Sequence, residues 1–322
     1  MTGPFAFCGM AVAQGGQRHF AISHAPFLNV TPQTMFRVAS VSKVVVGRVV
    51  ASLVDTTVTT WDTDVSKILG WTLEHPKFPE RPVTLGMLAS HSAGLDDDAG
   101  YLIPPHQTLR AFCAERAVFD ARPGAQFCYS NLGYIVLAEV IEALSGLAFP
   151  DAVAPFLPKR AGFNWVGVSD ADRQSALPTY RRSGAAFLAQ VDQPPEPAKQ
   201  GHNPGIYSPQ GGLRTSLEGM LDIACGLGEP TALWTPQMGP GNYLDGVFES
   251  YGAGVQIFDA PLFYPRPLVG HFGNAYGFNG GVWYDRERNL SFAYALNGLE
   301  MNDESDAFSE AELAIFQVIA NL

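Results

Sequence analysis

Ser40-Val41-Ser42-Lys43 sets a hydroxyl that can act as a nucleophile three residues ahead of an amine that can act as its base. Residues at i and i+3 share a face of a helix, so the two groups would meet there. Lys43 alone among the lysines has a serine at that spacing. Phe36-Arg37-Val38-Ala39 has the character of a strand end, and Val44 to Val54 continues as an apolar run interrupted by Arg48. Ser40 is therefore expected at a helix N-terminus, where unpaired N–H groups and the positive dipole end stabilise negative charge on a substrate oxygen. Read alone, Ser-x-x-Lys also describes a helix cap followed by a solvated lysine.

Two further triplets carry groups suited to the same chemistry. Phe127-Cys128-Tyr129-Ser130-Asn131 precedes an apolar run from Leu132, so Tyr129 and Asn131 are expected in a loop at a helix start. Alone, that pair reads as a buried aromatic and an N-cap. Gly270-His271-Phe272-Gly273-Asn274 lies shortly before Gly280-Gly281 and a strand at Val282, and by itself reads as a glycine-bordered strand or edge.

The elements that must position these groups follow from the pattern. Pro4 to Ala13 reads as a strand, Gly15-Gly16 as a hairpin turn and Arg18 to Ile22 as the return strand. Helices are expected after Asp62-Thr63-Asp64 through Leu69, over Thr84 to Ser90 with Gly94 ending it, over Gln107 to Ala117, and over Leu132 to Leu144 stopped by Gly146. Four prolines in 193–205 exclude regular structure there. Thr215 to Gly226 is helical in pattern, whereas Gly252 to Phe258, Gly281 to Tyr284 and Asn289 to Asn297 read as strands, the last two joined at Asp285-Arg286-Glu287-Arg288. Ser309-x-x-Glu312 is a capping box ahead of a closing helix, Leu313 to Leu322. Strands at both ends with helices between them predict a mixed sheet made from both termini plus a helical insertion.

Composition narrows the function. The 322 residues are 47% hydrophobic and 16% charged, ample for a large core in one domain or two closely packed ones. With 31 acidic residues against 20 basic ones and no Lys/Arg cluster, nucleic acid and anionic membrane surfaces are poor partners. No apolar run approaches the roughly 18 to 20 residues of a membrane span. The first cation is Arg18, so the basic start of a secretory signal is absent and a cytoplasmic location is expected. Cys8, Cys113, Cys128 and Cys225 lie far apart and are read as free thiols. Neither a metal-ligand spacing nor a Gly-rich phosphate loop is found, so no cofactor and no metal are expected.

Taken in order, Ser-x-x-Lys, Tyr-x-Asn and His-x-Gly resemble the serine β-lactamase and penicillin-binding protein superfamily. Within it the chain is similar to the branch of class C β-lactamases, DD-peptidases, D-aminopeptidases and β-lactamase-like carboxylesterases. Trp61 to Ser66, Thr84-Leu85 through His91-Ser92-Ala93-Gly94-Leu95, Arg122-Pro123-Gly124 and Ser208 to Leu213 agree with that branch, and the likeness runs from about Phe36 to Asn297. The resemblance implies an α/β (α+β) fold with an antiparallel sheet built from both termini and flanked by helices. It implies a sheet domain of 1–85 and 206–322, a mostly helical inserted domain of 86–205, and an active site between them.

By the same resemblance Ser40 attacks a carbonyl, Lys43 and Tyr129 shuttle its proton, and water then cleaves the acyl-enzyme. Asn131 would bond Lys43 or the substrate amide, and the backbone N–H groups of Ser40 and Asn274, just past Gly273, would hold the oxyanion. By the same resemblance His271, Phe272 and Gly273 line the substrate, but the chain departs from the common Lys-Thr-Gly form at this third motif, since His271 is mostly neutral at pH 7 if unperturbed and Phe272 has no hydroxyl. That points away from anionic β-lactams toward a neutral or apolar ester or amide, hence a carboxylesterase or amidase. A β-lactamase or D-aminoacyl or D-Ala-D-Ala peptidase is the alternative, and a non-catalytic binding or assembly protein on the same fold a third reading. The partner expected is a small-molecule ester, amide or lactam; the oligomeric state is not legible. Tyr276 and Phe278 are expected to wall the acyl pocket. His91 and His202 are read as structural, Asp96-Asp97-Asp98 as a solvated loop, and Ser90-His91-Ser92-Ala93-Gly94 as a helix end that only imitates a nucleophile elbow.

Overall fold

The amino-terminal hairpin forms as expected, β1 (Phe7–Gln14) turning at Gly15 and Gly16, both at positive φ, into β2 (Gln17–His24). The computed structural model describes residues 5–190, 203–228, 232–234, 249–300 and 308–322. From the carboxy-terminal part come β5 (Ser250–Tyr251), β6 (Gln256–Phe258), β7 (Leu268–Ala275), β8 (Phe278–Asp285) and β9 (Leu290–Asn297). They join β1 and β2 in a seven-stranded sheet of order β5-β6-β7-β8-β9-β1-β2, in which β9 pairs with β1 and so closes the two ends of the chain onto each other. Every pairing in this sheet is antiparallel, so it is not mixed.

Strand alternation gives the sheet two buried faces. In β9, Ala293 and Ala295 belong to the main core, while Phe292 and Tyr294 belong to a second cluster built around Phe316. Helix α4 (Glu310–Ala320), opened by the capping box of Ser309 and Glu312, covers the second face. The main face carries α3 (Leu217–Gly226) and α1 (Ser42–Thr56), and α1 packs in turn on α2 (Asn131–Ser145). Two short strands, β3 (Met35–Arg37) and β4 (Leu213–Ser216), pair beside this layer and deliver the chain into α1 and α3.

Several boundaries differ from the expected ones for physical reasons. Thr215 lies in β4, not in α3, because its neighbours pair with β3 before Ser216 caps the helix. The stretch from Gly252 to Phe258 is a turn followed by a strand: the Gly252 N–H bonds to the Val255 carbonyl. The helix of Leu85–Ala89 ends at Ser90, and Gly94 lies beyond it, held against the Ala121 carbonyl, where a Cβ would come within 1.9 Å. A hairpin of Tyr180–Ser183 and Ala186–Ala189 was not anticipated. Most of the four-proline segment, His202 and Pro4 lie outside the described residues; Pro204 opens a 3-10 turn over Pro204–Tyr207.

Two glycines fix the contact between α1 and the turn after β5. A Cβ at Gly47 would lie 2.0 Å from the Ala253 carbonyl, and one at Gly254, whose φ is +74, would lie 2.2 Å from the Lys43 carbonyl. Alanine in a helix interior normally stabilises relative to glycine by up to about 1 kcal/mol. Here backbone meets backbone, so the sign reverses. Gly47→Ala is expected to lower stability by about 1–3 kcal/mol in thermal or denaturant unfolding.

Candidate active site

Ser40 stands in a 3-10 turn, Ala39–Val41, and the α-helix begins only at Ser42. The expected helix N-terminus is thus one turn tighter than foreseen. Ala39 takes a left-handed φ of +47, a strained value for a residue with a Cβ. The Ser42 hydroxyl over-determines that turn: Oγ donates to the Ala39 carbonyl at 2.6 Å and accepts the Leu213 N–H at 3.0 Å. Gly273 of β7 lies against the same backbone, and a Cβ there would sit 2.5 Å from the Val38 carbonyl and 3.1 Å from the Ser40 nitrogen. Only glycine lets β7, with Asn274 next along it, run this close to the Ser40 N–H.

Lys43 is fully buried, and three oxygens surround its amine. Nζ lies 3.0 Å from Ser40 Oγ, 2.9 Å from Asn131 Oδ1 and 2.8 Å from the Gln210 carbonyl. The aromatic faces of Tyr129 and Tyr134 complete the enclosure at 4.7 and 5.4 Å. Burial brings the Lys43 pKa down to about 7, with the charge of Asp97 acting in the opposite direction. In the neutral form the two N–H bonds go to the Asn131 and Gln210 carbonyl oxygens, which can only accept. The lone pair is then left facing the Ser40 hydroxyl. Ser40 Oγ also lies 2.8 Å from Tyr129 Oη. Ser40, Lys43, Tyr129 and Asn131 therefore converge, as the family resemblance implies.

Tyr129 and Asn131 are held from behind by the chain from His91 to Asp97. His91 Nδ1 accepts the Ser130 N–H at 3.1 Å, so its proton sits on Nε2, and its carbonyl accepts the Cys128 N–H at 2.7 Å. Its ring lies 4.3 Å from that of Tyr129. This agrees with a structural histidine, held neutral by burial and by Lys43. Asp97 is not part of a solvated loop. Its carboxylate accepts the Ser130 hydroxyl at 3.0 Å and the Asn131 and Leu132 N–H groups at 2.7 and 3.1 Å, which makes it the anion at the start of α2.

His271 is buried and hydrogen-bonded on both nitrogens. Nδ1 donates to the Phe272 carbonyl, and Nε2 accepts from Tyr251 Oη at 2.7 Å. Burial, then Lys43, lowers its pKa to about 3. It is a neutral packing group and offers no cation to a substrate carboxylate. Phe272 alternates to the opposite face, where its ring meets Phe308 of the second cluster at 5.6 Å. The expectation that it shapes an apolar substrate site loses its basis. Phe278 is also core, fully buried and 5.8 Å from Phe36, and does not wall a pocket, whereas Tyr276 is 38% exposed beneath the Arg37 guanidinium. The His271 motif lies in an inner strand between β6 and β8, not at an edge.

Three contributors escaped the sequence. Tyr134, three residues after Asn131 on one helix face, was within reach of the same spacing argument that paired Ser40 with Lys43. Gln210 acts through its backbone carbonyl, which no side-chain pattern reveals. Tyr251 arrives from a distant strand with no local signal. Among the described residues no group of three or more His, Cys, Asp or Glu side chains is placed to hold a metal ion.

The β-lactamase family matches residues 8–315, and the chain belongs to that family. It is 30% identical over 151 residues to the D-alanyl-D-alanine-carboxypeptidase/endopeptidase AmpH of Escherichia coli (strain K12), covering 43% of this chain and 39% of that one. The matches reach between 35% and 44% of the length of the curated relatives found. Among solved structures, EstCE1, a hydrolase with promiscuous acyltransferase activity, superposes with a TM-score of 0.79 at 19% identity, covering 99% of this chain and 94% of that one. The D-amino acid amidase of Ochrobactrum anthropi SV3 gives 0.72 at 17% identity, over 98% and 93%. These likenesses are of fold, a β-lactamase/DD-peptidase fold whose neighbours include a D-amino acid amidase, a hydrolase with promiscuous acyltransferase activity and a β-lactamase/D-alanine carboxypeptidase.

The Tyr129 hydroxyl bonds to Ser40, while its ring packs on His91 independently of that hydroxyl. If the Tyr129 hydroxyl relays the Ser40 proton, Tyr129→Phe is expected to fold with wild-type stability and to lose about 10²–10⁴ in kcat, read from steady-state kinetics on any ester or amide the protein hydrolyses.

Proposed function

We propose that this protein is a serine hydrolase that works through an acyl-enzyme on Ser40, with a carboxylesterase as the first reading. The observation that carries it is the Lys43 amine, buried, aimed at Ser40 Oγ and held by two carbonyl oxygens on its other side. A buried lysine with no carboxylate within ion-pair distance among the described residues fits a base better than a structural cation.

In this mechanism Ser40 Oγ bonds to the substrate carbonyl carbon as its proton passes to Lys43 Nζ. The carbonyl electron pair moves onto oxygen, opposite the N–H groups of Ser40 and Asn274. Collapse of the intermediate expels the alcohol or amine, which takes the proton back through Lys43 and Tyr129. Water then attacks the acyl carbon by the reverse proton path, releasing the acid and Ser40.

The neutral, enclosed His271 favours substrates without a carboxylate beside the scissile bond, since no cation is available at that position. Esters meet this condition. D-amino acid amides meet it too, and the fold likeness to a D-amino acid amidase supports them as the second reading. β-Lactams and D-Ala-D-Ala peptides carry a carboxylate and rank below both.

The test is intact-protein mass spectrometry and turnover with short-chain p-nitrophenyl esters, D-amino acid amides, nitrocefin and D-Ala-D-Ala peptides. Turnover of esters or amides above the two carboxylate-bearing classes, with adducts absent in Ser40→Ala, is expected. A Ser40→Ala protein that still forms the adduct contradicts the assignment.

A further inference from the structure

We infer that Asp97 is a positioning residue for this site, acting through the Tyr129-Ser130-Asn131 turn and through its charge on the Lys43 amine. The inference rests on the serine-lysine reading above and adds to it a residue that touches no substrate.

The geometry is specific. Three donors from three consecutive residues converge on one carboxylate: Ser130 Oγ and Leu132 N on Oδ1, Asn131 N on Oδ2. Asn131 is the first residue of α2, and its own Oδ1 holds Lys43 Nζ. Ser130 follows Tyr129 directly, and its hydroxyl also accepts the Gly133 N–H at 3.1 Å as the helix cap. A shift of the Asp97 carboxylate is therefore passed through a single peptide unit to each of the two groups that touch Ser40 and Lys43. His91 grips the opposite side of the same turn, which leaves the turn one position.

Charge gives the second effect. The groups facing Lys43 are Ser40 from its own turn, Tyr129 and its loop, Asn131 and Tyr134 of α2, the Gln210 carbonyl ahead of β4, His91, and His271 of β7. Both histidines are held neutral by burial, so none of these groups brings a negative charge at neutral pH. Among the described residues Asp97 is the carboxylate whose field reaches the amine. Asp96, Asp98 and Asp120 act, together with Asp97, on the Cys128 thiol. Asp97 thus favours protonated Lys43 and works against burial. Without it the amine would lose its proton at lower pH.

Asp97→Asn separates the proposal from a merely structural role. The carboxamide keeps an oxygen for two of the donors but turns an NH₂ toward the third, so both kcat and the proton equilibrium of Lys43 are altered. The expected result is a fall in kcat of about 10-fold or more with KM little changed, and an acidic limb of the kcat/KM profile moved below the wild-type limb near pH 7. Ser130→Ala removes one donor and keeps the charge; it should lower kcat and leave the limb in place. Should Asp97→Asn unfold, the pH dependence of fluorophosphonate labelling in Ser130→Ala and Asp97→Glu carries the test, with the wild-type limb restored in Asp97→Glu. A folded Asp97→Asn with wild-type kcat and an unmoved limb overturns the inference, as does a shifted limb in Ser130→Ala. Ser40→Ala is measured alongside: labelling that survives there refutes the serine reading itself, whereas its loss with a normal Asp97→Asn refutes only the role of Asp97.

Discussion

A lysine amine kept out of water, with no carboxylate bonded to it among the described residues, is the constraint around which this structure is arranged. Desolvation disfavours the ammonium, and the surroundings supply carbonyl oxygens, phenol rings and neutral imidazoles in place of a counter-ion. The same burial that makes Lys43 costly as a cation suits it to the base role proposed above. Every element around it can be understood by what it contributes to that enclosure. Helix α1 presents the amine, α2 provides one carbonyl and one ring, the stretch before β4 provides the second carbonyl, and β7 closes the remaining side.

Close backbone approach is the means by which so many elements reach one point. Gly47 and Gly254 let the turn after β5 lie on α1, and Gly273 lets β7 lie on the Ser40 turn. The strained Ala39 is held by a buried hydroxyl that spans from the 3-10 turn to β4. These contacts explain why a site made from residues near 40, 130, 210 and 271 is geometrically tight. The sheet that joins both ends of the chain supplies the platform, and its second face is closed separately by the aromatic cluster under α4.

The chemistry-bearing residues were legible in the sequence because three short motifs occur in one order: spacing pairs Ser40 with Lys43, and the resemblance carried by all three motifs adds Tyr129 and Asn131. The hairpin at Gly15-Gly16 and the capping box at Ser309 were legible too, since turn and cap signals are short-range. Whatever depended on tertiary context was not. Phe272 looked like a substrate contact because it stands beside His271 in sequence, yet strand alternation sends it to the other face. Phe278 looked like a pocket wall and is core. Asp97 looked solvated within a run of three acids, but three backbone and hydroxyl donors from a turn more than thirty residues away organise it. His271 stays the neutral imidazole read from the sequence, held so by burial and by Lys43, while Tyr251, distant in sequence, bonds its second nitrogen.

The most direct measurement is the proton equilibrium of Lys43 itself, followed by the ¹³Cε chemical shift of labelled lysine as a function of pH, with Lys43→Arg used to assign the signal. The account predicts one lysine titrating about pH 7, apart from the others. A Lys43 signal that titrates with the solvent-exposed lysines near pH 10.5 would contradict it.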